Sequence, residues 1–305
     1  MLVYITKRIL LSLCVALVVS FLSFGLIFLS GDPATAIAGE SATGADILLI
    51  RKAYGLDRPI VIQYISWLEK AACGDFGKSF YFDLPVSQVI KDKIPVTIQL
   101  GIMSLCFALI FSIPLGILAS IRPNSWVDRL ALTLSVIGQA LPSFWFSLIL
   151  MVVFAFWWPV LPASGSETWA HFVLPTVVLG YYAMPAFMRL TRAGMLEVLD
   201  SDYIRTAKAK GLLSHQILFK HALRNALIPV VSMAAVQFGF MLGGSVVIET
   251  VFALQGMGFL AWESVMRSDF PTVQAIILIL SLIYIVLTLL SDILNAWLDP
   301  RIRVA

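Results

Sequence analysis

Long apolar runs separated by short polar segments dominate the amino-acid sequence. Six runs without a charged residue reach the length of about 20 residues that a membrane-spanning helix requires. These runs are Ile9–Ser30, Ile94–Ile121, Leu130–Ser166, Thr168–Met188, Asn225–Ile248 and Phe270–Ser291. The pattern predicts an all-α polytopic membrane protein with about six transmembrane helices.

The third run, Leu130–Ser166, is longer than one crossing requires. As a straight helix it would extend roughly 55 Å, whereas the hydrocarbon core of a bilayer is about 30 Å thick. Pro159 and Pro162 interrupt its second half, and proline breaks the helical hydrogen-bond pattern. We therefore expect one crossing that ends near Trp157–Pro162 and continues as an aromatic interfacial loop. A second crossing is the alternative.

The overall composition supports a membrane location. Of the 305 residues, 60% are hydrophobic and 13% are charged, against roughly 45–50% and 25% in soluble domains. So few charges cannot cover the surface of a soluble domain, and the apolar, non-repetitive sequence excludes disorder and collagen-like repeats. The three cysteines contain no C-x-x-C pair, which argues against a disulfide framework or a zinc site.

The positions of the basic residues predict the orientation of the chain. With the N-terminus inside and six crossings, the C-terminus is also cytoplasmic, and the short outer loops carry only Arg267. The inner segments carry Lys7, Arg8, Arg122, Arg129, Arg189, Arg192, Arg205, Lys208, Lys210, Lys220, Arg224, Arg301 and Arg303. Cytoplasmic loops hold an excess of lysine and arginine, while an outer segment of more than about 60 residues has little weight in this rule.

This topology divides the chain into four parts. Residues 1–30 are interpreted as an uncleaved first span, because their apolar run is longer than the usual 7–15 residues of a signal peptide. Helical spacing at Asp46–Tyr54 and Pro59–Ala72 predicts that residues 31–93 form an external, periplasmic helical insert. The remaining parts are a transmembrane core at 94–292, which contains a cytoplasmic coupling loop at 189–224, and a cytoplasmic C-terminal tail at 293–305.

The loop 189–224 contains a predicted short helix with matched ends. Asp200, Ser201 and Asp202 favour a helix start, lysines occupy its last turn, and Gly211 can adopt the left-handed conformation that ends a helix. One helical face carries Tyr203, Ile204, Ala207 and Gly211. This face could dock into a groove of a partner protein. The alternative is an interfacial helix whose basic residues meet anionic lipid headgroups.

Two stretches of this loop resemble the coupling loop of ABC importer permeases. They are Asp202-Tyr203-Ile204-Arg205-Thr206-Ala207-Lys208-Ala209-Lys210-Gly211 and Phe219–Pro229. Further fragments match in family order, including Gly74–Gly77, Gly243–Ser245 followed by Glu249–Phe252, and Asp299–Arg303. The chain is similar over nearly its whole length to the binding-protein-dependent, type I permeases of the branch that serves dipeptides, oligopeptides, glutathione and nickel.

The sequence departs from the general importer pattern at three places. Arg205-Thr206-Ala207 stands where the general motif has Glu-Ala-Ala, and His221 stands where it has isoleucine. Both variations are familiar in the peptide branch. Leu254-Gln255-Gly256 replaces the usual Pro-Gly of the outer loop, so the resemblance does not imply the detailed shape of that loop.

The resemblance implies a type I ABC importer permease fold in the bacterial inner (plasma) membrane. It implies a non-catalytic subunit that forms half of the pathway for dipeptides or oligopeptides, with glutathione or nickel chelates as alternative cargo. The implied partners are a second homologous permease, two cytoplasmic ATPases, an external solute-binding protein and membrane lipid, without nucleic acid. ATP and Mg would be bound by the ATPases, so no cofactor, metal or catalytic residue is expected in this chain.

Within this scheme the helix of residues 202–211 would receive motion from an ATPase and tilt the attached spans. Ala207 and Gly211 suit close packing in a docking cleft. Candidates for lining the passage are Gln139, Ser143, Ser232 and Gln237, and hydrogen bonding between helices is their alternative role. Ala235, Gly239 and Gly243 form a stripe of small residues that favours close helix packing.

Glu249 and Phe252, at the outer end of the fifth run, are candidates for an outer gate or a contact with the binding protein. A solvated interface residue is the alternative interpretation of Glu249. A different class of protein, an ion-coupled secondary transporter, commonly has ionisable groups inside its spans. The predicted spans carry almost no charge, which favours the ABC permease.

Overall fold

The computed structural model describes residues 2–29, 32–38, 42–53 and 55–298. Within these ranges all named elements are helical, and a single antiparallel bridge joins Lys78 to Pro85. The helices of the first third are α1 (Leu2–Leu29), α2 (Pro33–Ala38), α3 (Gly44–Ala53), α4 (Ile60–Ala72), α5 (Val86–Lys91) and α6 (Ile94–Ile121). The middle third contains α7 (Trp126–Ala140), α8 (Ser143–Met151), a π-helix (Val152–Trp157), a 3-10 turn (Trp169–Phe172) and α9 (Val173–Leu199). The remaining elements are α10 (Asp202–Ala209), α11 (Ser214–Gln216), a π-helix (Ile217–Ala222), α12 (Leu223–Ala226), α13 (Ile228–Val251), α14 (Met257–Met266) and α15 (Phe270–Leu298).

Five of the described helical segments are long and apolar enough to cross a membrane. They are Tyr4–Gly25, Val86–Ile121, Trp169–Leu199, Ile228–Val251 and Phe270–Ala296. A sixth apolar segment, Ser143–Trp157, is shorter. The prediction of about six spanning helices is therefore confirmed for five, while the third run contains this short segment instead of one long helix.

The third run is divided because of a proline. Leu141 has extended backbone angles, with φ −80° and ψ 130°, and it ends α7 immediately before Pro142. A residue that precedes proline is driven out of the helical region by the proline ring. The second part of the run, α8 with its π-helix, ends at Trp157, which agrees with the predicted end near Trp157–Pro162.

The helices α6 and α9 form the centre of the fold and approach closely at glycines. A Cβ atom on Gly180 would lie 2.7 Å from the carbonyl oxygen of Ser104, and one on Gly116 would lie 2.8 Å from that of Met188. Only a residue without a side chain permits this separation. Small residues at contacts between helices allow the dispersion contacts and hydrogen bonds that stabilise packing in a membrane.

The last span, α15, joins both α1 and α13. Arg8 of α1 forms an ion pair with Asp292 at 2.9 Å, and the Ser23 hydroxyl donates to the Gln274 carbonyl at 3.0 Å. A Cβ atom on Gly239 of α13 would lie 2.3 Å from the ring of Tyr284, so the predicted packing role of Gly239 is confirmed. Residues 293–298 continue α15, and so the expected C-terminal tail begins inside this helix.

The two helices predicted within residues 31–93, the segment expected to form the outer insert, are present as α3 and α4. Glycines with positive φ angles, Gly55, Gly74 and Gly77, lie in the turns after them. The insert is attached to α15 by Asp269, which is fully buried and accepts hydrogen bonds from the Ser79 hydroxyl at 2.5 Å and the Phe80 amide at 2.9 Å.

Candidate functional site

The coupling segment, defined here as residues Asp202–Gly211, forms α10 and its C-terminal turn. The helix ends in a Schellman motif: the Gly211 amide donates to the Lys208 carbonyl at 3.0 Å, and the Leu212 amide donates to the Ala207 carbonyl at 3.3 Å. Gly211 has a φ of +75°, the left-handed conformation that was predicted from its position. This turn fixes the end of the helix within the loop.

The start of the helix differs from the prediction. Ser201 occupies the N-cap position, but its hydroxyl donates to the Val198 carbonyl at 2.5 Å and does not cap α10. The side chain of Asp202 lies in the first turn, almost fully exposed, and its carboxylate accepts from Arg205 at 3.4 Å. A carboxylate at this end still favours the helix through its dipole.

The apolar face of the coupling segment packs against the chain itself. Ile204 is 0% exposed and Ala207 is 9% exposed. Both belong to an apolar cluster built from the inner ends of neighbouring helices, which includes Ile117, Met195, Ile217, Ala222 and Ala226. The prediction that Ile204 and Ala207 face a partner is therefore wrong, because burying them within the permease stabilises the helix against its own spans.

All other residues of the coupling segment are exposed. They are Asp202, Tyr203, Arg205, Thr206, Lys208, Ala209, Lys210 and Gly211. Arg205 forms ion pairs with two exposed carboxylates, Asp200 at 3.6 Å and Asp202 at 3.4 Å. The surface available to another protein is thus polar and mainly basic, with small residues at its end.

Tyr203 connects the coupling segment with the base of α13. Its phenol accepts a hydrogen bond from the Asn225 side chain at 2.9 Å and donates to the His221 carbonyl at 3.4 Å. Ile204 attaches α10 to the apolar cluster, and the hydrogen bonds of Tyr203 attach it to the helical segment Ile217–Ala226. A displacement of α10 would consequently be passed to the helix that leads into α13.

The start of α7 and the C-terminal part of α9 are joined by a partly buried ion pair that the sequence pattern did not single out. Arg192 donates from Nε and Nη2 to both oxygens of Asp128, at 2.6 and 2.7 Å, and Asp128 also accepts from the Asn124 amide at 2.8 Å. The Arg192 hydrogen bond holds the pKa of Asp128 below its ordinary value. The single carboxylate of Asp128 and the two arginines Arg189 and Arg192, in segments assigned to the same side of the membrane, could have suggested the pair, though not the burial of Asp128.

The predicted pathway residues whose side chains are described lie on two helices, Ser143 on α8 and Ser232 and Gln237 on α13. Ser232 contacts the amide oxygen of Asn295 on α15, and its carbonyl accepts from the Ser291 hydroxyl at 3.0 Å. Hydrogen bonding between helices, the alternative considered for Ser232, is therefore its role here. Ser143 and Gln237 are half-buried on α8 and α13, and the side chain of Gln139 lies outside the described residues.

The outer anchor, defined as Glu249 and its hydrogen-bond donors, corrects the prediction for the outer end of α13. Glu249 is 0% exposed. Its Oε1 accepts from the hydroxyls of Thr97 and Ser245, each at 2.8 Å, and its Oε2 accepts from the amides of Gly258 at 2.7 Å and Phe259 at 3.0 Å. One carboxylate thus joins α6, α13 and the start of α14.

Two neighbours complete the outer anchor. A Cβ atom on Gly256 would lie 2.4 Å from Oε2 of Glu249, so only glycine leaves room for the carboxylate. Phe252 is 1% exposed and belongs to the central apolar core. Neither Glu249 nor Phe252 has the exposed surface that contact with a binding protein requires, and the interpretation of Glu249 as a solvated residue is also wrong. The sequence did contain a signal for this anchor: Glu249 is followed by Gly256 and Gly258, which flank the first residue of α14.

Comparison with known families agrees with this arrangement. Residues 112–304 match the family described as binding-protein-dependent transport system inner membrane component. Residues 1–101 match the corresponding N-terminal family of membrane components. The chain belongs to this family: it is a permease of an ABC importer and a multi-pass protein of the inner membrane.

Individual relatives extend over the whole chain. The glutathione transport system permease proteins GsiC of Escherichia coli (strain K12) and of Salmonella typhimurium (strain LT2) are each 41% identical over 304 residues, which cover 99% of both chains. A solved structure of the methionine ABC transporter MetNI matches 70% of this chain and 97% of its own, with a TM-score of 0.56 and 17% identity. That structure supports the fold.

Proposed function

We propose that this chain forms half of the membrane pathway of an ATP-driven importer for glutathione and other short peptides. It pairs with a second homologous permease, receives substrate from an external binding protein and is driven by two cytoplasmic ATPases that bind ATP and Mg. The support for these partners is membership in a binding-protein-dependent family. The support for the cargo is that relatives covering 99% of the chain are glutathione permeases.

The proposed cargo unites the two substrates favoured by the sequence. Glutathione is itself a small peptide, and the resemblance of the motifs points to dipeptides and oligopeptides. Charged groups that could hold one particular ion are rare within the spans, and Glu249 has all of its described contacts inside the chain. A passage of this kind favours recognition by the external binding protein, so several peptides could share one permease.

The observation that carries the mechanism is the two-sided coupling segment. Its buried face is fixed to the inner ends of the permease helices through Ile204 and Ala207. Its exposed face, with Arg205, Thr206 and Lys208, is available to an ATPase. When the ATPases approach each other, this helix would move as a lever and tilt α9 and α13. Nucleotide can shift the two conformations only if the ATPase contacts differ between them.

Site-directed crosslinking tests where an ATPase docks. The native Cys14, Cys73 and Cys106 are first replaced by serine, because all three are exposed. In the assembled importer, Thr206→Cys should form a crosslink with an ATPase that carries single cysteines, whereas a cysteine at the buried Ile204 should not. Equal labelling of both positions, or none at Thr206, would contradict the docking of this face.

Uptake assays test the cargo and the energy source. Cells lacking this permease should lose ATP-dependent uptake of labelled glutathione, and the plasmid-borne gene should restore it. Competition with unlabelled dipeptides, tripeptides, hexapeptides and nickel chelates ranks the substrates. Uptake that continues after ATP depletion while a proton or sodium gradient persists would contradict the proposal and favour a secondary transporter.

A further inference from the structure

A cavity of about 460 Å³ opens beside the coupling segment at the base of α13. Three of its six lining residues are basic and none is acidic. The lining consists of Tyr203, Lys220, His221, Arg224, Asn225 and Ile228. A concave surface with several convergent donors and no carboxylate has the chemistry of an anion site.

The local backbone places the basic residues on one wall. Lys220, His221, Arg224, Asn225 and Ile228 come from the successive π-helix, α12 and the start of α13, and all five line this cavity. Tyr203 forms the facing wall. It is linked to this segment through Asn225 at 2.9 Å, and so the two walls are held together.

The cations of the cavity are not neutralised within the described part of the chain. Arg8, Arg51, Lys78, Arg192 and Arg205 each have a carboxylate partner within 4 Å, whereas no such pair is found for Lys220 or Arg224 among the described residues. Both side chains are exposed. Two adjacent unpaired cations raise the local positive potential, which an incoming anion would lower.

The position of the cavity indicates the source of that anion. Ile228 is the first residue of the span α13, and Lys220 and Arg224 precede it by eight and four residues. Because so few residues separate them from the start of the span, both cations lie near the membrane surface, where the headgroup layer begins. Leu213 and Phe219, in the same segment, are each 59% exposed. Apolar side chains next to basic ones are typical of a surface that lies on anionic lipid.

We propose that this cavity binds a phosphate-bearing anion, supplied by the headgroup of an anionic phospholipid. The Arg224 guanidinium can donate two parallel hydrogen bonds to phosphate oxygens, and the Lys220 ammonium adds a point charge. Because Tyr203 belongs to the coupling segment, a bound headgroup contacts both α10 and the base of α13. The lipid would then hold the coupling segment at the membrane surface. This site does not depend on the identity of the transported substrate.

Native mass spectrometry of the full chain in detergent micelles tests the site directly. The protein is titrated with phosphatidylglycerol, with zwitterionic phosphatidylcholine, and with phosphatidylglycerol in the presence of inorganic phosphate. The test variant is Lys220→Gln with Arg224→Gln. The matched control is Arg122→Gln with Arg129→Gln, which removes two exposed inner cations elsewhere. The swap Lys220→Arg with Arg224→Lys keeps both charges and reports whether the segment still folds.

We expect phosphatidylglycerol to bind in preference to phosphatidylcholine, with affinity lowered about tenfold or more in the test variant and retained in the control and the swap. Competition by millimolar inorganic phosphate, lost in the test variant, would also support the anion site and would identify free phosphate as a second source. If neither ligand depends on Lys220 and Arg224, or if the control loses lipid equally, the proposal is overturned.

Discussion

The charged side chains near the two ends of α13 differ in burial. At the outer end Glu249 is fully buried, as is Asp269 directly before α15, and each accepts hydrogen bonds from donors of the same chain. At the inner end, the cations of the coupling segment and of the Lys220–Arg224 wall are exposed. Buried and satisfied groups fasten helices to one another, whereas exposed groups remain available to other molecules. The outer end is thus built as a joint within the subunit, and the inner end as a surface for partners.

The same difference in burial predicts which substitutions lower the stability of the chain and which do not. Removing a buried carboxylate leaves several donors without partners, which costs free energy in the folded state. Removing an exposed charge changes stability little, since surface substitutions usually stay within about 0.5 kcal/mol. Variants of the outer anchor should therefore lower the stability of the isolated chain, while variants that remove an exposed charge at the inner end should leave that stability nearly unchanged.

The largest loss of stability is expected for Glu249→Ala. Two hydroxyls and two amides lose their common acceptor, and each unsatisfied buried group costs about 1–3 kcal/mol. We expect the free energy of unfolding to fall by about 3 kcal/mol or more, measured by thermal unfolding of the purified protein. The matched control is Glu69→Ala, an exposed glutamate of the outer insert. Equal effects of the two substitutions would contradict the outer anchor.

A second effect is expected for Asp128→Asn, which breaks the partly buried pair with Arg192. Asp128 is buried but Arg192 is 22% exposed, so the cost lies between the about 0–1 kcal/mol of a surface pair and the about 3–5 kcal/mol of a fully buried one. The effect should depend on pH, because Arg192 holds the pKa of Asp128 below its ordinary value. The stabilisation is complete above the unfolded pKa of about 4 and disappears as the pH falls through the lower folded value.

Thermal unfolding between pH 7 and pH 3 measures this dependence. The wild-type chain should lose its advantage over Asp128→Asn only at the acid end of the range. Asp57→Asn, at an exposed aspartate, serves as the control and should follow the wild type at every pH. If the difference in unfolding midpoint between wild type and Asp128→Asn stayed constant down to pH 3, the ionised Asp128 would not be the source of the stabilisation.

The smallest effect is expected for Gly211→Ala. A Cβ atom at Gly211 would meet no other atom within 4 Å, so the cost comes only from its φ of +75°. A left-handed conformation costs an ordinary residue about 1–2 kcal/mol. Gly243→Ala is the matched control, because its surroundings are equally open and its φ is not positive. Circular dichroism during thermal unfolding should show a lower midpoint for Gly211→Ala alone.

Much of the fold could be predicted because it follows from local sequence. The run Ile94–Ile121 coincides with α6, and Gly211 ends α10 as its position indicated. These features depend on apolar length and on the conformational freedom of one residue. The division of the third run was missed, although Pro142 lies within it, because the prediction assigned the break to Pro159 and Pro162.

The candidate site was predicted less well because it depends on tertiary packing. The face with Ile204 and Ala207 was correctly recognised as apolar, but its partner turned out to be the chain itself. Glu249 obtains its donors from α6 and α14, which are distant in sequence. Periodicity shows which residues share a face, while only the folded chain shows what that face contacts.

The central claim is that the exposed residues of the coupling segment bind the ATPase, while its buried residues pack against the spans of the same chain. The most direct test is the amount of substrate taken up per ATP hydrolysed by the importer in liposomes, with Thr206→Trp compared with Arg122→Trp, an exposed inner residue outside the segment. We predict that Thr206→Trp lowers this ratio about tenfold without changing the unfolding midpoint of the isolated chain, and that Arg122→Trp leaves the ratio unchanged. An unchanged ratio for Thr206→Trp in a fully assembled importer would contradict the account.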